Sequence, residues 1–146
     1  MDYKRIKLII ESKLENVSLI GMAINKLCSL IHLSDVESYQ IELCAVEAVN
    51  NSIIHAYGRE ADHEVEVVFT LYGDRLILDV YDTGKAMDQS YLKKANISSF
   101  ENDPNDLDNI PESGRGLAVI KETMDSMTCE TKDGKNCFTM TKKLRD

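Results

Sequence analysis

The sequence reads Glu47-Ala-Val-Asn-Asn-Ser-Ile-Ile-His-Ala-Tyr57 in the stretch that decides the fold. Apolar residues at Val49, Ile53 and Ile54 continue a stripe with helical spacing, which predicts a helix with one buried face. Ser34 and Asp35 supply a start signal for this helix upstream, and Gly58 stands where a C-terminal glycine belongs. The pattern therefore predicts one long helix from about Asp35 to Tyr57.

A second, polar stripe runs along the same helix at Glu47, Asn51 and His55. Residues four apart lie about 6 Å apart along a helix and share a face. A carboxylate and an amide oxygen one turn apart can serve as a proton acceptor and a ligand for a hard cation. Taken alone, this stripe favours the simpler interpretation, the polar face of an amphipathic helix.

The segments around this helix alternate between two periodicities. Residues 3–11 predict a strand and residues 16–31 a helix, while residues 65–80 form two alternating runs around Gly73-Asp74, which predicts a hairpin. A helical pattern follows Gly116, and a closing hairpin turns at Asp133-Gly134. This order predicts an α+β fold, a two-layer sandwich of a mostly antiparallel sheet with helices on one face.

The segment between the first hairpin and Gly114 loses its periodicity. A short helix is predicted near Ser90 to Ala95, and Glu101 to Glu112 is a polar, loop-like stretch with five acidic residues and no basic one. Loops of this length are uncommon in compact domains unless they are functional or disordered. We therefore interpret residues 85–113 as a lid.

Length and composition limit the class of protein. The 146 residues predict a single domain, and 43% hydrophobic and 29% charged residues are ordinary for a globular protein. The net charge of −8 argues against a nucleic-acid-binding surface. The sequence shows no membrane span or signal peptide, which predicts a cytoplasmic protein.

Two further motifs carry chemistry. Asp82-Thr83-Gly84 places a carboxylate at the end of a predicted buried strand, where it needs donors such as an exocyclic amine of a base. Gly114-Arg115-Gly116 lies immediately before a predicted helix, where unpaired N–H groups favour an anion. Each motif alone also fits a plain turn or a hinge.

In this order, the three motifs resemble the N box and the two glycine boxes of the GHKL ATPase superfamily, over about residues 35 to 143. The sequence is most similar to the anti-sigma-factor serine kinases of bacterial partner-switching systems. The runs that carry this closer resemblance are Glu47-Ala…Asn51…His55-Ala-Tyr57 and Gly114-Arg-Gly-Leu-Ala-Val-Ile-Lys-Glu-Thr-Met-Asp125. The implied fold is the Bergerat, or histidine-kinase-like, ATPase fold.

The resemblance implies ATP and Mg²⁺ as ligands and gives each motif residue a role. Glu47 would be the general base, Asn51 would bind Mg²⁺, and Asp82 would accept from the adenine amine with Gly84 beside it. The remaining residues implied to contact the nucleotide are Asn50, His55, Gly114, Arg115, Gly116 and Leu117. For His55, direct involvement and an ordinary helix position are both open.

The chain departs from the superfamily pattern at two positions. Ala86 stands where the first glycine box often has its second glycine, and Cys137 is the closest match to a threonine that often touches adenine from the last strand. A thiol is a weak hydrogen-bonding group, so this contact is expected to be weakened or mediated by water.

The resemblance implies a serine/threonine protein kinase that phosphorylates a STAS-type anti-anti-sigma partner and sequesters a sigma factor or another output protein, with a possible homodimer. The alternative is a nucleotide-dependent binding module without significant kinase activity. Glu47 favours the kinase, because a pure binding module does not need a carboxylate at that position.

Overall fold

The computed structural model describes residues 2–88 and 112–144. The strands and helices follow one another in the order that the sequence patterns predict. In chain order they are β1 (Lys4–Glu11), α1 (Val17–Leu27), α2 (Asp35–Asn51), β2 (Glu64–Leu71), β3 (Arg75–Asp82), α3 (Glu112–Thr123), β4 (Ser126–Lys132) and β5 (Lys135–Lys143).

The strands form one antiparallel sheet of five strands in the order β1-β2-β3-β5-β4. Alternate residues of each strand point to opposite faces. The face toward the helices carries the buried apolar residues, with Val67 opposite Val80 and Phe69 opposite Leu78 in the β2–β3 pair. These side chains pack with α1, α2 and α3 in one hydrophobic core. The predicted α+β class and antiparallel sheet are confirmed.

Helix α2 begins with a capping box. The Ser34 hydroxyl accepts from the Glu37 N–H at 3.1 Å, and the Ser34 N–H donates to the Glu37 carboxylate at 3.3 Å. These two bonds satisfy backbone donors that a helix start leaves unpaired. The cap fixes the start of the helix that carries the polar stripe.

The far end of α2 differs from a regular α-helix. Residues Ser52–Ala56 form a π-helical turn, and Gly58 follows with φ of +59°. The sequence predicts the extent of this helix and its terminal glycine, but not the wider turn. Such turns occur often at functional sites.

Helix α3 begins earlier than the sequence pattern indicates. It begins at Glu112, so Gly114-Arg115-Gly116 lies inside the helix and not before it. The short helix predicted near Ser90 to Ala95, most of the lid and most of the acidic loop lie outside the described residues. Within residues 2–88 and 112–144, no helix is both long enough and apolar enough to cross a membrane.

Candidate functional site

A cavity of about 510 Å³ lies between the end of α2 and one end of the sheet. This volume falls within the range of small-molecule pockets, which is about 300–1,000 Å³. Its walls come from α2 and its π-helical turn, from the chain after β3, and from β4 and β5. The lining residues are Ala48, Asn51, Ser52, His55, Ala56, Asp82, Lys85, Ala86, Met87, Asp88, Cys129, Asn136 and Phe138.

Two of the three residues of the polar stripe, Asn51 at the end of α2 and His55 in the π-helical turn, line this cavity, and Glu47 is not among the lining residues. His55 is exposed and Asn51 half-buried. Asn50 is half-buried on the same helix, and its contact with a nucleotide stays a prediction.

The Glu47 carboxylate lies against the backbone of helix α3. A Cβ atom placed on Gly116 would stand 2.6 Å from Glu47 Oε2, which is shorter than a van der Waals contact. The glycine therefore gives the carboxylate room at this point. Two residues 69 positions apart in the sequence, each predicted to belong to the site, meet here.

The Asp82 carboxylate is buried at the end of β3, with 8% of its surface exposed. Its Oδ1 accepts from the Gly84 N–H at 3.1 Å and from Asn136 Nδ2 at 2.7 Å. A buried carboxylate requires such donors, because it has lost its water. Both of these bonds from described residues go to the same oxygen, which leaves Oδ2 for a ligand in the cavity.

Gly84 packs against the π-helical turn at the end of α2. A Cβ atom at this position would collide with the carbonyl oxygen of Ala56 and would lie 2.5 Å from its carbon. The Lys85 N–H donates to the same Ala56 oxygen at 2.8 Å. The close approach of the turn after α2 therefore requires a glycine at this position, and the contact of Gly84 with a nucleotide stays a prediction.

Tyr57 forms a hydrogen bond with Thr83, the residue between Asp82 and Gly84. Its hydroxyl accepts from the Thr83 N–H at 2.8 Å and donates to the Glu64 carbonyl at 2.6 Å. The ring is buried. The chain that follows Asp82 is therefore joined to the end of this helical segment at two points, Thr83 and Lys85.

Asn136 is the site residue that sequence reasoning missed. It lies on β5 directly opposite Asp82 and is 5% exposed. Its Nδ2 donates both to Asp82 Oδ1 and to the Gly84 carbonyl, the latter at 3.0 Å. The Thr131 hydroxyl on β4 donates to its Oδ1 at 2.6 Å. A polar residue at a core-facing position of the last strand was the available signal.

Cys137 was the wrong choice for the last-strand contact. It is the next residue on β5, so its side chain points to the opposite face of the sheet. There its sulfur lies 3.5 Å from Asp79 Oδ1 and 3.4 Å from the Thr139 hydroxyl. The strand register gives the position beside Asp82 to Asn136.

A different cysteine, Cys129, lines the cavity from β4. Burial raises the pKa of its thiol, and the nearby Asp82 carboxylate raises it further. The thiol is therefore mostly protonated at neutral pH and forms an uncharged part of the wall.

The second glycine motif lies at the start of α3. Gly114 is in the first helical turn, where N–H groups have no acceptor within the helix. Gly116 lies beyond that turn, beside Glu47, and the side chain of Leu117 is buried in the core. The roles of Gly114, Arg115 and Leu117 toward a nucleotide stay predictions.

Helices cover an antiparallel sheet, and a cavity lies between the helix that carries Asn51 and the strand end that carries Asp82. This is the arrangement of a GHKL-type nucleotide-binding domain. The family model for the histidine kinase-like ATPase domain matches residues 10–142. The chain belongs to this family. The resemblance to the GHKL superfamily and to its anti-sigma-factor kinases is thereby confirmed.

Curated relatives with related sequences are serine-protein kinases. A serine-protein kinase RsbW of Bacillus cereus is 29% identical over 126 residues, which cover 86% of this chain and 76% of the relative. Serine-protein kinase RsbW of Staphylococcus epidermidis is 27% identical over 134 residues, covering 91% and 82% of the two chains.

Two solved structures share the fold. The structure of the RsbU and RsbW domains of a Mycobacterium tuberculosis protein matches with a TM-score of 0.66 and 14% identity, over 98% of this chain and 33% of that one. The SiaB-SiaC complex of Pseudomonas aeruginosa matches with a TM-score of 0.59 and 13% identity, over 95% and 89%. At these identities the two structures support the fold alone.

Proposed function

We propose that this protein is an ATP-dependent serine kinase of a partner-switching system. It phosphorylates a serine of a STAS-type anti-anti-sigma protein and sequesters a sigma factor or another output protein. The observation that carries the proposal is that Asp82 and Asn51, from different elements, line one cavity, with Glu47 one helical turn before Asn51 on α2. The serine-protein kinases among its relatives support the same activity.

Asp82 fits the amine of an adenine ring. Its Oδ1 is occupied by two protein donors, while Oδ2 has lone pairs for the hydrogen that the 6-amino group offers. The cavity beside it is lined by Ala56, Met87 and Phe138, which suit the flat apolar faces of a base. ATP is therefore the substrate that this end of the site fits.

Asn51 fits the role of a magnesium ligand. Its amide lines the cavity on the α2 side, and amide oxygen is a hard donor of the kind that Mg²⁺ accepts. When bound, the ion neutralises charge on the phosphates during transfer. The first turn of α3, which contains Gly114, contributes N–H groups and a partial positive charge to the same phosphates.

Glu47 is the proposed base. It takes the proton from the substrate serine hydroxyl as the serine oxygen bonds to the γ-phosphorus of ATP. The bond between that phosphorus and the β,γ-bridging oxygen breaks, and ADP leaves with the electron pair. Its place against Gly116 holds the carboxylate near the start of α3, where the phosphates are proposed to lie.

The experiment measures transfer of phosphate from ATP to purified STAS-type proteins of the same organism. The variant Glu47→Gln removes the base while keeping the shape of the side chain. We expect transfer to fall by at least about 100-fold, since general bases contribute about 10²- to 10⁴-fold, with ATP affinity nearly unchanged. Glu42→Gln is the matched control, because Glu42 lies on the same helix but packs against Gly21 of α1.

Two outcomes contradict the proposal. If Glu47→Gln transfers phosphate at the rate of the unsubstituted protein, Glu47 is not the base. If the unsubstituted protein binds ATP but phosphorylates none of the STAS-type proteins, the chain is a nucleotide-dependent binding module and not a kinase.

A further inference from the structure

A row of three polar side chains crosses the end of the sheet beside the cavity. Asp82, Asn136 and Thr131 are paired neighbours on β3, β5 and β4. All three point to the same face, since each is a direct cross-strand partner of the next. The Thr131 hydroxyl donates to Asn136 Oδ1, and Asn136 Nδ2 donates to Asp82 Oδ1.

These bonds fix which way the Asn136 amide faces. Its oxygen accepts from a hydroxyl at 2.6 Å, and its nitrogen uses both hydrogens, on Asp82 at 2.7 Å and on the Gly84 carbonyl at 3.0 Å. An amide turned the other way would set its oxygen against a carboxylate and a carbonyl, which are acceptors only. The amide therefore has one stable orientation.

This orientation determines what Asp82 can do. Two donors, the Gly84 N–H and the Asn136 amide, are aimed at Oδ1, so they hold the carboxylate through this oxygen, and Oδ2 keeps its lone pairs for a ligand in the cavity that Asp82 lines. A carboxylate held in this way accepts hydrogen bonds and cannot donate one. It favours a base with an amino group at the 6 position and disfavours a base with a carbonyl oxygen there.

We propose that Asn136 is a positioning residue that gives the site its selectivity for adenine over 6-oxopurines, by orienting the Asp82 carboxylate. The inference rests on the proposed function, because it assumes that the cavity binds ATP. It adds a residue on the last strand that acts through Asp82 and does not need to touch the nucleotide.

The test compares the affinities for ATP and ITP, which differ in the amino or oxo group at the 6 position. Asn136→Ala removes both amide donors, and we expect ATP affinity to fall by at least about 10-fold while ITP affinity falls by less than about 3-fold. Loss of folding or of cavity shape would lower both affinities together. Cys137→Ser is the matched control on the same strand, and we expect it to change neither affinity.

A second variant tests the same mechanism through pH. Asn136→Asp sets a second carboxylate about 2.7 Å from Asp82 Oδ1, in the place of the amide nitrogen. Two carboxylates this close raise the pKa of one of them, so the pair takes up a proton as the pH falls. That proton replaces the amide hydrogen. We expect ATP affinity of this variant to rise at least about 5-fold from about pH 8 to about pH 6, while that of Asn136→Ala stays flat.

The outcomes separate this inference from the proposed function. ATP binding with an unchanged ATP-to-ITP ratio in both folded variants would overturn the role of Asn136 alone. Selective ATP binding without phosphate transfer would overturn the kinase proposal and leave this role standing. An unsubstituted protein that does not bind ATP would overturn both.

Discussion

At the scale of single residues, the contact between Gly84 and Ala56 sets a limit on the site. The glycine carries no side chain because the Ala56 carbonyl occupies the place of one. This contact joins the chain after Asp82 to the end of the helix that carries Asn51. A side chain here would push the two walls of the cavity apart.

We therefore expect Gly84→Ala to destabilise the protein by about 1–3 kcal/mol, the usual cost of overpacking. Urea unfolding measures the change. Gly73→Ala is the control, because a Cβ atom at Gly73 would meet nothing within 4 Å and its φ is not positive. Equal stability of the two variants would show that the close approach to Ala56 is absent in solution.

Single residues of the site are also the features that are hardest to predict from the sequence. Asp82 is predictable, because a carboxylate that ends an apolar strand requires a partner. The role of Asn136 is not predictable in this way, because it depends on whether Asn136 or the adjacent Cys137 on β5 faces the helices. A shift of one residue exchanges Asn136 and Cys137, and only the pairing of β3 with β5 fixes that choice.

At the scale of elements, helix α2 positions one wall of the cavity, and its capping box fixes where it begins. We expect Ser34→Ala to lower the free energy of unfolding by about 1 kcal/mol, because it removes the acceptor for the Glu37 N–H. Thermal or urea unfolding measures this. Ser29→Ala is the control, since Ser29 is exposed and its hydroxyl only donates to the Lys26 carbonyl. An equal change in the free energy of unfolding for both variants would contradict a stabilising role of the cap.

Strands β4 and β5 place two half-buried cysteines on opposite faces of the sheet. Cys129 lines the cavity, whereas Cys137 contacts Asp79 and Thr139. We expect ATP to slow the labelling of Cys129 by a thiol reagent at least about 5-fold and to change that of Cys137 less than about 2-fold, because a bound ligand covers only the cavity.

The measurement uses Cys137→Ser and Cys129→Ser, each of which leaves one half-buried thiol to follow, since Cys28 and Cys44 are buried. Burial raises the pKa of both thiols, so both labelling rates should increase with pH. Equal protection of the two cysteines by ATP would place the nucleotide elsewhere.

Most elements are predictable from the sequence because each has a strong local signal. The alternation of apolar and polar residues predicts the hairpins. Asp133 and Gly134, with φ of 54° and 77°, form the turn that the Asp-Gly pair predicts. The π-helical turn at Ser52–Ala56 and the early start of α3 have no such signal. Packing between elements decides both, since the turn meets Gly84 and the start of α3 meets Glu47.

At the scale of the whole molecule, two buried cysteines make the free energy of unfolding depend on pH. Burial raises the pKa of Cys28 and of Cys44 from 9.0 to about 11. A group whose pKa is raised in the folded state stabilises folding below its unfolded pKa, and this contribution is lost as the pH rises through the folded value. The free energy of unfolding should therefore fall between pH 9 and 11.

Urea unfolding across this window, for the unsubstituted protein and for the double variant Cys28→Ala with Cys44→Ala, measures this contribution. We expect the double variant to be less stable near neutral pH, but to lose less stability between pH 9 and 11. The same loss in both proteins would show that these thiols do not titrate with folding.

The central claim is that this molecule binds ATP in the cavity between α2 and the end of β3. Calorimetry with ATP and Mg²⁺ on the unsubstituted protein and on Asp82→Asn tests it most directly. We predict micromolar binding that Asp82→Asn weakens at least about tenfold, since the variant turns an acceptor toward the adenine amine into a donor. No binding, or equal binding by both proteins, would contradict the assignment of the site.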